Sequence, residues 1–369
     1  MPCVATIVYS TLVYQWKKCP QNALRPLIPK IMNENNGYYI CSIHPSQING
    51  WYQSLSPRRA KLAGLFDEEE LKAGRKLMPK QFRDNSHHGK ISKVARRKMS
   101  RAVDYLTHIV PKQKYFHPGT GKSGDMILNF ITLTLPSEQI HSDNEIKSDI
   151  LHPFLVQCRQ KWKVVNFIWR MEKQKNGNTH FHLITDRFIP WNELRNQWNR
   201  NCEKLGYVTR YRDNQTAWHN EGYRFNPKFS PKLSDARQFH NYKEGVACGW
   251  NNPNSTDVHG LRTIFNATAY LTKYITKSDQ SDEIEGRLWG CSSNLVRIRG
   301  AEIFAEGSAS DEITALIEDP RCKFYKGDYF FIITFKNTLL YCGTFPICMQ
   351  ELETFIRAHF PEYRPPLLL

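Results

Sequence analysis

Apolar and polar positions alternate most clearly between residues 126 and 186. Met126 to Leu135 reads Met-Ile-Leu-Asn-Phe-Ile-Thr-Leu-Thr-Leu, rich in β-formers and closed by Pro136, which predicts a strand. A helix is expected from Ser148 to Lys161 and a second strand from Val164 to Glu172. A turn at Asn176-Gly177 and a third strand from Thr179 to Asp186 follow. Pro190 then opens an amphipathic helix with Trp191, Leu194, Trp198 and Leu205 on its inner side. Residues 211–257, dense in Asn, Arg and aromatics, read as loop, and Ile264 to Lys277 as helix. Strand, helix, strand, hairpin, strand and helix in that order predict an α+β domain, an antiparallel sheet with helices packed on one face.

Outside this stretch the signals are sparser. In residues 14–60 only Gly37 to Ile43 looks like a strand. From Leu71 to Val110 the pattern is helical and basic: Ile91, Val94, Met99, Val103 and Leu106 form a buried face, and Lys93, Arg96, Arg97, Lys98 and Arg101 an outer one. Beyond residue 300, strands are expected near Tyr329 to Phe335 and Thr338 to Tyr341, then a helix from Met349 to Phe360. Three regions result: a basic amino-terminal region 1–120, a central domain 121–298 with an insertion at 211–257, and an α/β extension 299–369.

Charge changes the picture. The formal net charge is +16, and residues 1–120 hold 20 Lys and Arg against 7 Asp and Glu. Such a region suits a polyanion, and 17 Tyr with 9 Trp point to nucleic acid, because exposed rings stack on unpaired bases. Lys93, Arg96, Arg97 and Arg101 are the expected DNA contacts. The 10 Cys are single, with no zinc-type spacing, which fits a reducing cytoplasm. Val4 to Val13 reads as a strand rather than a signal peptide, and no 18-residue apolar run could span a bilayer, so no membrane partner is expected.

Two motifs carry chemistry. In His180-Phe181-His182 both imidazoles share one face of the third strand while Phe181 turns to the other, so the pair can grip one divalent cation. Glu172 is the candidate third ligand. A plain two-residue turn at Asn176-Gly177 would set it opposite Phe181, facing away; an odd-length loop, Asn176-Gly177-Asn178, would set it opposite His182. Asp186 is the fallback. The second motif is a tandem repeat, Tyr270-Leu-Thr-Lys273 and Tyr274-Ile-Thr-Lys277. At helical spacing the two phenols share a face, each with a Lys three positions on. A phenol with a pKa of about 10 needs a cation nearby to become a nucleophile. Lys273 and Lys277 can supply that charge, or neutralise a phosphate under attack.

Together the motifs describe metal-assisted attack of a tyrosine on DNA, leaving a 5′-phosphotyrosine and a free 3′-OH. Phe130-Ile-Thr-Leu-Thr-Leu135, His180-Phe181-His182 and the 270–277 repeat resemble, in order, three motifs of the HUH endonuclease superfamily, the last in its two-tyrosine form. That form is similar to rolling-circle replication initiators of small single-stranded DNA phages and related plasmids. Gly286-Arg-Leu-Trp-Gly-Cys-Ser-Ser-Asn-Leu295 also resembles a stretch of microvirus-like initiators. The resemblance implies a five-stranded antiparallel sheet of the RNA-recognition-motif type, with the histidines on a central strand and the tyrosines on a neighbouring helix. It also implies Mg²⁺ or Mn²⁺ and a single-stranded or hairpin origin substrate. Two-tyrosine transposases and relaxases share this chemistry, and a non-catalytic nucleic-acid-binding protein is the rival class. Gly119-Thr-Gly-Lys-Ser123 is not a phosphate loop, since Phe116 stands where its first Gly belongs and a strand follows. The chain would therefore depend on a host helicase as well as a host polymerase.

Overall fold

The computed structural model describes residues 37–54, 91–110, 113–117, 122–126, 128–229, 233–261, 284–296, 298–327, 330–336 and 339–363. In chain order the main elements begin with β1 (Gly37–His44), β2 (Gln47–Ser54), α1 (Lys93–Ile109), β3 (Gln113–His117), β4 (Lys122–Met126) and β5 (Leu128–Thr134). Next come α2 (His152–Trp162), β6 (Phe167–Lys173), β7 (Thr179–Thr185), α3 (Trp191–Glu203), α4 (Tyr207–Trp218), α5 (Asp235–Ala247), β8 (Thr256–Leu261) and β9 (Trp289–Cys291). The last are β10 (Ala301–Phe304), α6 (Gly307–Glu318), β11 (Lys323–Lys326), β12 (Phe330–Thr334) and α7 (Pro346–His359).

These elements form two compact units. The larger, from residue 82 to 298 with 359–367, is built on an antiparallel sheet of order β8-β5-β7-β6-β9. Strand alternation splits its side chains cleanly. Ile131, Leu133, Trp169, Met171, Phe181 and Leu183 point to one face, where α2 brings Phe154 and Cys158 and α3 brings Leu194 and Trp198. Trp198 is fully buried, edge-on to Phe154, and its indole N–H donates to the Thr134 carbonyl at 2.7 Å. The α+β class and the five-stranded antiparallel sheet with helices on one face are thus as expected, with β7, the histidine strand, at its centre.

The helical run before α2 is longer than its apolar pattern suggests. It starts at Asp143 under a Ser142–Glu145 capping box and passes through a π-helical turn, Ile146–Leu151. Pro153 has no N–H for the turn before it, and the chain widens so that the His152 N–H reaches the Lys147 carbonyl five residues back.

Several expectations are corrected. Residues 211–257 contain most of α4 and all of α5 rather than a loop. Trp191 lies outward, 58% exposed, as does Val94 of α1 at 61%. Met99, Val103 and Leu106 bury as expected. A second strand, β2, follows β1, and Leu339–Cys342 is a 3₁₀ turn, not a strand, with the neighbours Leu339 and Leu340 both buried. Lys122 and Ser123 begin β4, with no helix after the Gly119–Ser123 segment.

The smaller unit takes β1 and β2 together with residues 299–358, in a second antiparallel sheet of order β10-β1-β2-β12-β11. This differs from a division at residues 120 and 298, because β1 and β2 pair with strands roughly 260 to 290 residues away while α1 belongs to the larger unit. Cys41, Ile43, Ile48, Phe331 and Ile333 are buried, as are Ile313 and Leu316 of α6 and Leu352 and Ile356 of α7. Gly50 stands opposite Phe331, whose ring occupies the space a Cβ would need. Among the described residues no helix is long and apolar enough to cross a membrane.

Candidate metal centre

The hairpin joining β6 to β7 decides the site. Gln174 N–H bonds to the Asn178 carbonyl at 2.7 Å and Gly177 N–H to the Gln174 carbonyl at 2.9 Å, with Gly177 at φ +84°. The loop is therefore three residues, Lys175-Asn176-Gly177, with the glycine in the left-handed position such a loop requires. An odd-length loop was the condition for Glu172 to face the histidines, and it is met one residue earlier than expected. Glu172 consequently pairs with His180, not His182, and Arg170 stands opposite His182.

On the face opposite the helices, Glu172, His180 and His182 come together. The two Nε2 atoms are 3.1 Å apart, and Glu172 Oε2 is 3.6 Å from His180 Nε2 and 3.5 Å from His182 Nε2. A point about 2.0 Å from all three atoms exists within that triangle, the length of a metal–nitrogen or metal–oxygen bond to a small divalent cation. Two imidazoles and one carboxylate fill only three positions on an ion and leave the others open to water and substrate. The residues present fit a divalent metal.

Neighbours orient these ligands. Thr132 Oγ1 lies 3.3 Å from His182 Nδ1; with the proton on Nδ1 donated to Thr132, the Nε2 lone pair is left for an ion. Phe130 stacks on the His182 ring at 5.3 Å. Arg170 Nη2, 3% exposed, sits 3.1 Å from Glu172 Oε1, so one carboxylate oxygen serves Arg170 while the other faces the imidazoles. Without an ion, and with the Nε2 atoms protonated instead, burial opposes ionisation of Glu172, yet hydrogen bonds from His180 and His182 and the Arg170 charge outweigh it and hold the carboxyl well below the usual range; a bound cation would take the place of those protons. Thr132 and Arg170 were not singled out from sequence, although each shares the ligand face by simple alternation: Thr132 pairs with His182, and Arg170 is two residues from Glu172.

Asp186, the fallback ligand, is committed elsewhere. Its carboxylate accepts from the backbone N–H groups of Val165 and Asn166 and from the Asn166 side chain, and burial raises its pKa. Arg96, Arg97 and Arg101 are exposed on α1, where Lys93 is the first residue. Arg101 also donates to the Ile298 carbonyl at 3.2 Å. Tyr270, Lys273, Tyr274 and Lys277 lie outside the described residues.

Fold and site together define an α+β protein with a two-histidine, one-carboxylate centre on the open face of a five-stranded antiparallel sheet. Residues 129–279 match the model of the family described as Replication-associated protein ORF2/G2P, a span that runs from β5 through the three candidate ligands and past the tyrosine repeat. No curated protein and no solved structure matches the chain.

Proposed function

We propose that the chain is a replication initiator that nicks single-stranded or hairpin origin DNA by metal-assisted tyrosine attack. The observation that carries this is the convergence of Glu172, His180 and His182 inside the stretch that resembles a replication-associated family. These side chains would hold Mg²⁺ or Mn²⁺, and the imidazole pair favours Mn²⁺ of the two because Mg²⁺ prefers an all-oxygen shell. When bound, the cation supplies polarisation of a non-bridging phosphate oxygen.

Tyr270 or Tyr274 acts as nucleophile. The tyrosyl oxygen forms a bond to phosphorus as the P–O3′ bond breaks, the phenol proton is lost, and the departing 3′ oxygen takes up a proton. Lys273 and Lys277 neutralise phenolate or phosphate charge. The phosphodiester energy is kept in the tyrosyl ester, so a 3′-OH can reverse the step and rejoin the strand, and a second tyrosine allows another cut meanwhile.

Two features support this arrangement. Ile284, ten residues after Tyr274, and Leu288 belong to the sheet core, and the Leu288 carbonyl accepts from Met171 N–H at 2.9 Å, next to Glu172 in sequence. In addition, the start of α1 and the edge strand β9 line a groove containing Lys98, Arg287 and Trp289, and Trp289 pairs with Arg170 of the site row. With no phosphate-loop ATPase at 119–123, unwinding and synthesis fall to a host helicase and polymerase, in the cytoplasm of that host.

Incubation with single-stranded oligonucleotides and Mn²⁺ tests the reading. A denaturant-resistant protein–DNA adduct is expected, lost in Tyr270→Phe plus Tyr274→Phe while DNA binding persists, and lost in His182→Ala. Binding without any adduct would make the chain a non-catalytic binding protein, and adduct at wild-type rates in the double variant would remove both tyrosines from the mechanism. Cleavage only of a folded replicon-origin hairpin separates a replication initiator from a transposase or relaxase.

A further inference from the structure

We propose that the α4–α5 pair is a stacking platform for single-stranded DNA, separate from the metal centre. This pair is held by rings rather than by an aliphatic core. His219 stacks on Trp250 at 5.3 Å with 2° between the planes, Tyr242 lies 4.8 Å from His219, and Tyr223 meets Phe239 edge-on at 5.1 Å. Gly245 of α5 leaves room for the Trp250 ring, which fills the space of its missing Cβ. A cluster so built is rigid, and it leaves large rings facing solvent: Trp218, Phe225 and Phe239 are 40, 43 and 42% exposed.

Two of those rings carry a cation. The Arg224 guanidinium lies 4.6 Å above Trp218, and the Lys243 ammonium 4.9 Å from the centre of Phe239. Lys228, in the short 3₁₀ turn between the two helices, and Arg237 of α5 are also exposed. Each cation lies over one face of its ring, so a base would stack on what the cation leaves open, with the charge set for the adjoining phosphate. Duplex DNA hides its base faces inside the stack, so this chemistry selects unpaired strands.

The platform is tethered close to the site. From Trp250 the chain reaches Thr256, the first residue of β8, in six residues, a span of at most roughly 20 Å. That link is fixed to the domain: Asn199 of α3 donates to Asn252 Oδ1 and to the Pro253 carbonyl, and the Ser255 carbonyl accepts from the Thr134 hydroxyl on β5. Thr134 in turn pairs with His180. A strand lying across the rings would be delivered toward the ligand row. That the occupant is DNA rather than RNA rests on the proposed function; the preference for unpaired bases does not.

Fluorescence anisotropy of a labelled 20-residue oligothymidylate, in EDTA so that no metal chemistry contributes, tests the platform. Trp218→Ala and Phe239→Ala are each expected to weaken single-strand binding about 5- to 150-fold, the range for losing one stacked base, with less than twofold change for a duplex of equal length. Arg224→Gln and Lys243→Gln, exposed changes that leave the ring cluster in place, should each reduce the slope of log affinity against log salt by roughly 0.7. Single-strand binding within twofold of wild type in the ring variants, with salt slopes unchanged in the charge variants, overturns the proposal, as does equal loss for duplex and single strand. If the ring variants fail to fold by circular dichroism, the salt slopes alone decide. Failure of adduct formation would leave this readout untouched, so the platform and the nicking chemistry stand or fall separately.

Discussion

Replacing Glu172 by Gln keeps the shape of the side chain and removes its charge, which separates two jobs. The carboxylate neutralises Arg170, 3.1 Å away and 3% exposed, and it faces both imidazoles with its other oxygen. Removing one partner of a buried ion pair costs about 3–5 kcal/mol, because the remaining charge is stranded. Glu172 is itself 13% exposed and Gln keeps an acceptor oxygen, so the lower end, about 3 kcal/mol, is expected. For a unit of this size that is a fall in Tm of roughly 6–12 °C. Melting should be followed by circular dichroism in EDTA, where no metal contributes. Adding Arg170→Met to Glu172→Gln should recover part of the loss, since the charge that lost its carboxylate is then removed as well. With Mn²⁺ at about 100 times Kd the wild type should gain about 2.7 kcal/mol, and both variants almost nothing. A Tm for Glu172→Gln within 2 °C of wild type in EDTA, with the same Mn²⁺ response, would refute both roles.

Other expectations follow from packing and burial. Trp198→Ala should destabilise by about 3–5 kcal/mol, read from the urea midpoint, because it empties the centre of the sheet–helix core and strips the Thr134 carbonyl of its donor; a loss under 1 kcal/mol would contradict that packing. Burial pushes the His108 imidazole on α1 down to about 4 from an ordinary 6.5. The unfolded chain therefore binds this proton first, so His108's contribution is intact above pH 6.5 and falls away as pH drops toward 4, by about 2 kcal/mol between pH 7.5 and pH 5. His108→Gln should flatten that part of the pH–stability curve, and an unchanged slope would place the titration elsewhere. Gly50→Ala should destabilise the smaller unit by forcing the Phe331 ring aside, and a Tm equal to wild type would show that the ring can move freely.

Much of the site was legible because strand alternation is strict. His180, Phe181 and His182 could only divide two-to-one between the faces, and they do, with Phe181 in the core. The position of Glu172 was less so, since it depends on how many residues the turn uses. Asn176-Gly177 marks a turn but not its length, and only the backbone shows Lys175 joining them and Gly177 taking the positive φ. Helix α5 was hidden because it is held by rings rather than by an aliphatic stripe: Phe239 and Tyr242, spaced i and i+3, meet Tyr223 and His219, and the surrounding composition suggested loop. The Ser234 cap, which accepts from Arg237 N–H, was the available signal. The pairing of β1 and β2 with β10 and β12 leaves no local trace at all, because hydrogen bonds between segments roughly 260 to 290 residues apart impose no periodicity on either. Trp191 had the right spacing for the core, yet as the first residue of α3 it stays largely exposed, under the Arg195 guanidinium at 4.7 Å.

If Glu172, His180 and His182 form one divalent-cation site, its ion can be counted. Titration of the purified protein with Mn²⁺, with free ion counted by electron paramagnetic resonance, does so most directly. One Mn²⁺ bound per chain is predicted for the wild type, lost in His180→Ala and in His182→Ala but kept in Asp186→Asn. Equal binding by the wild type and both histidine variants, or none by the wild type, would rule out a cation held by these three side chains.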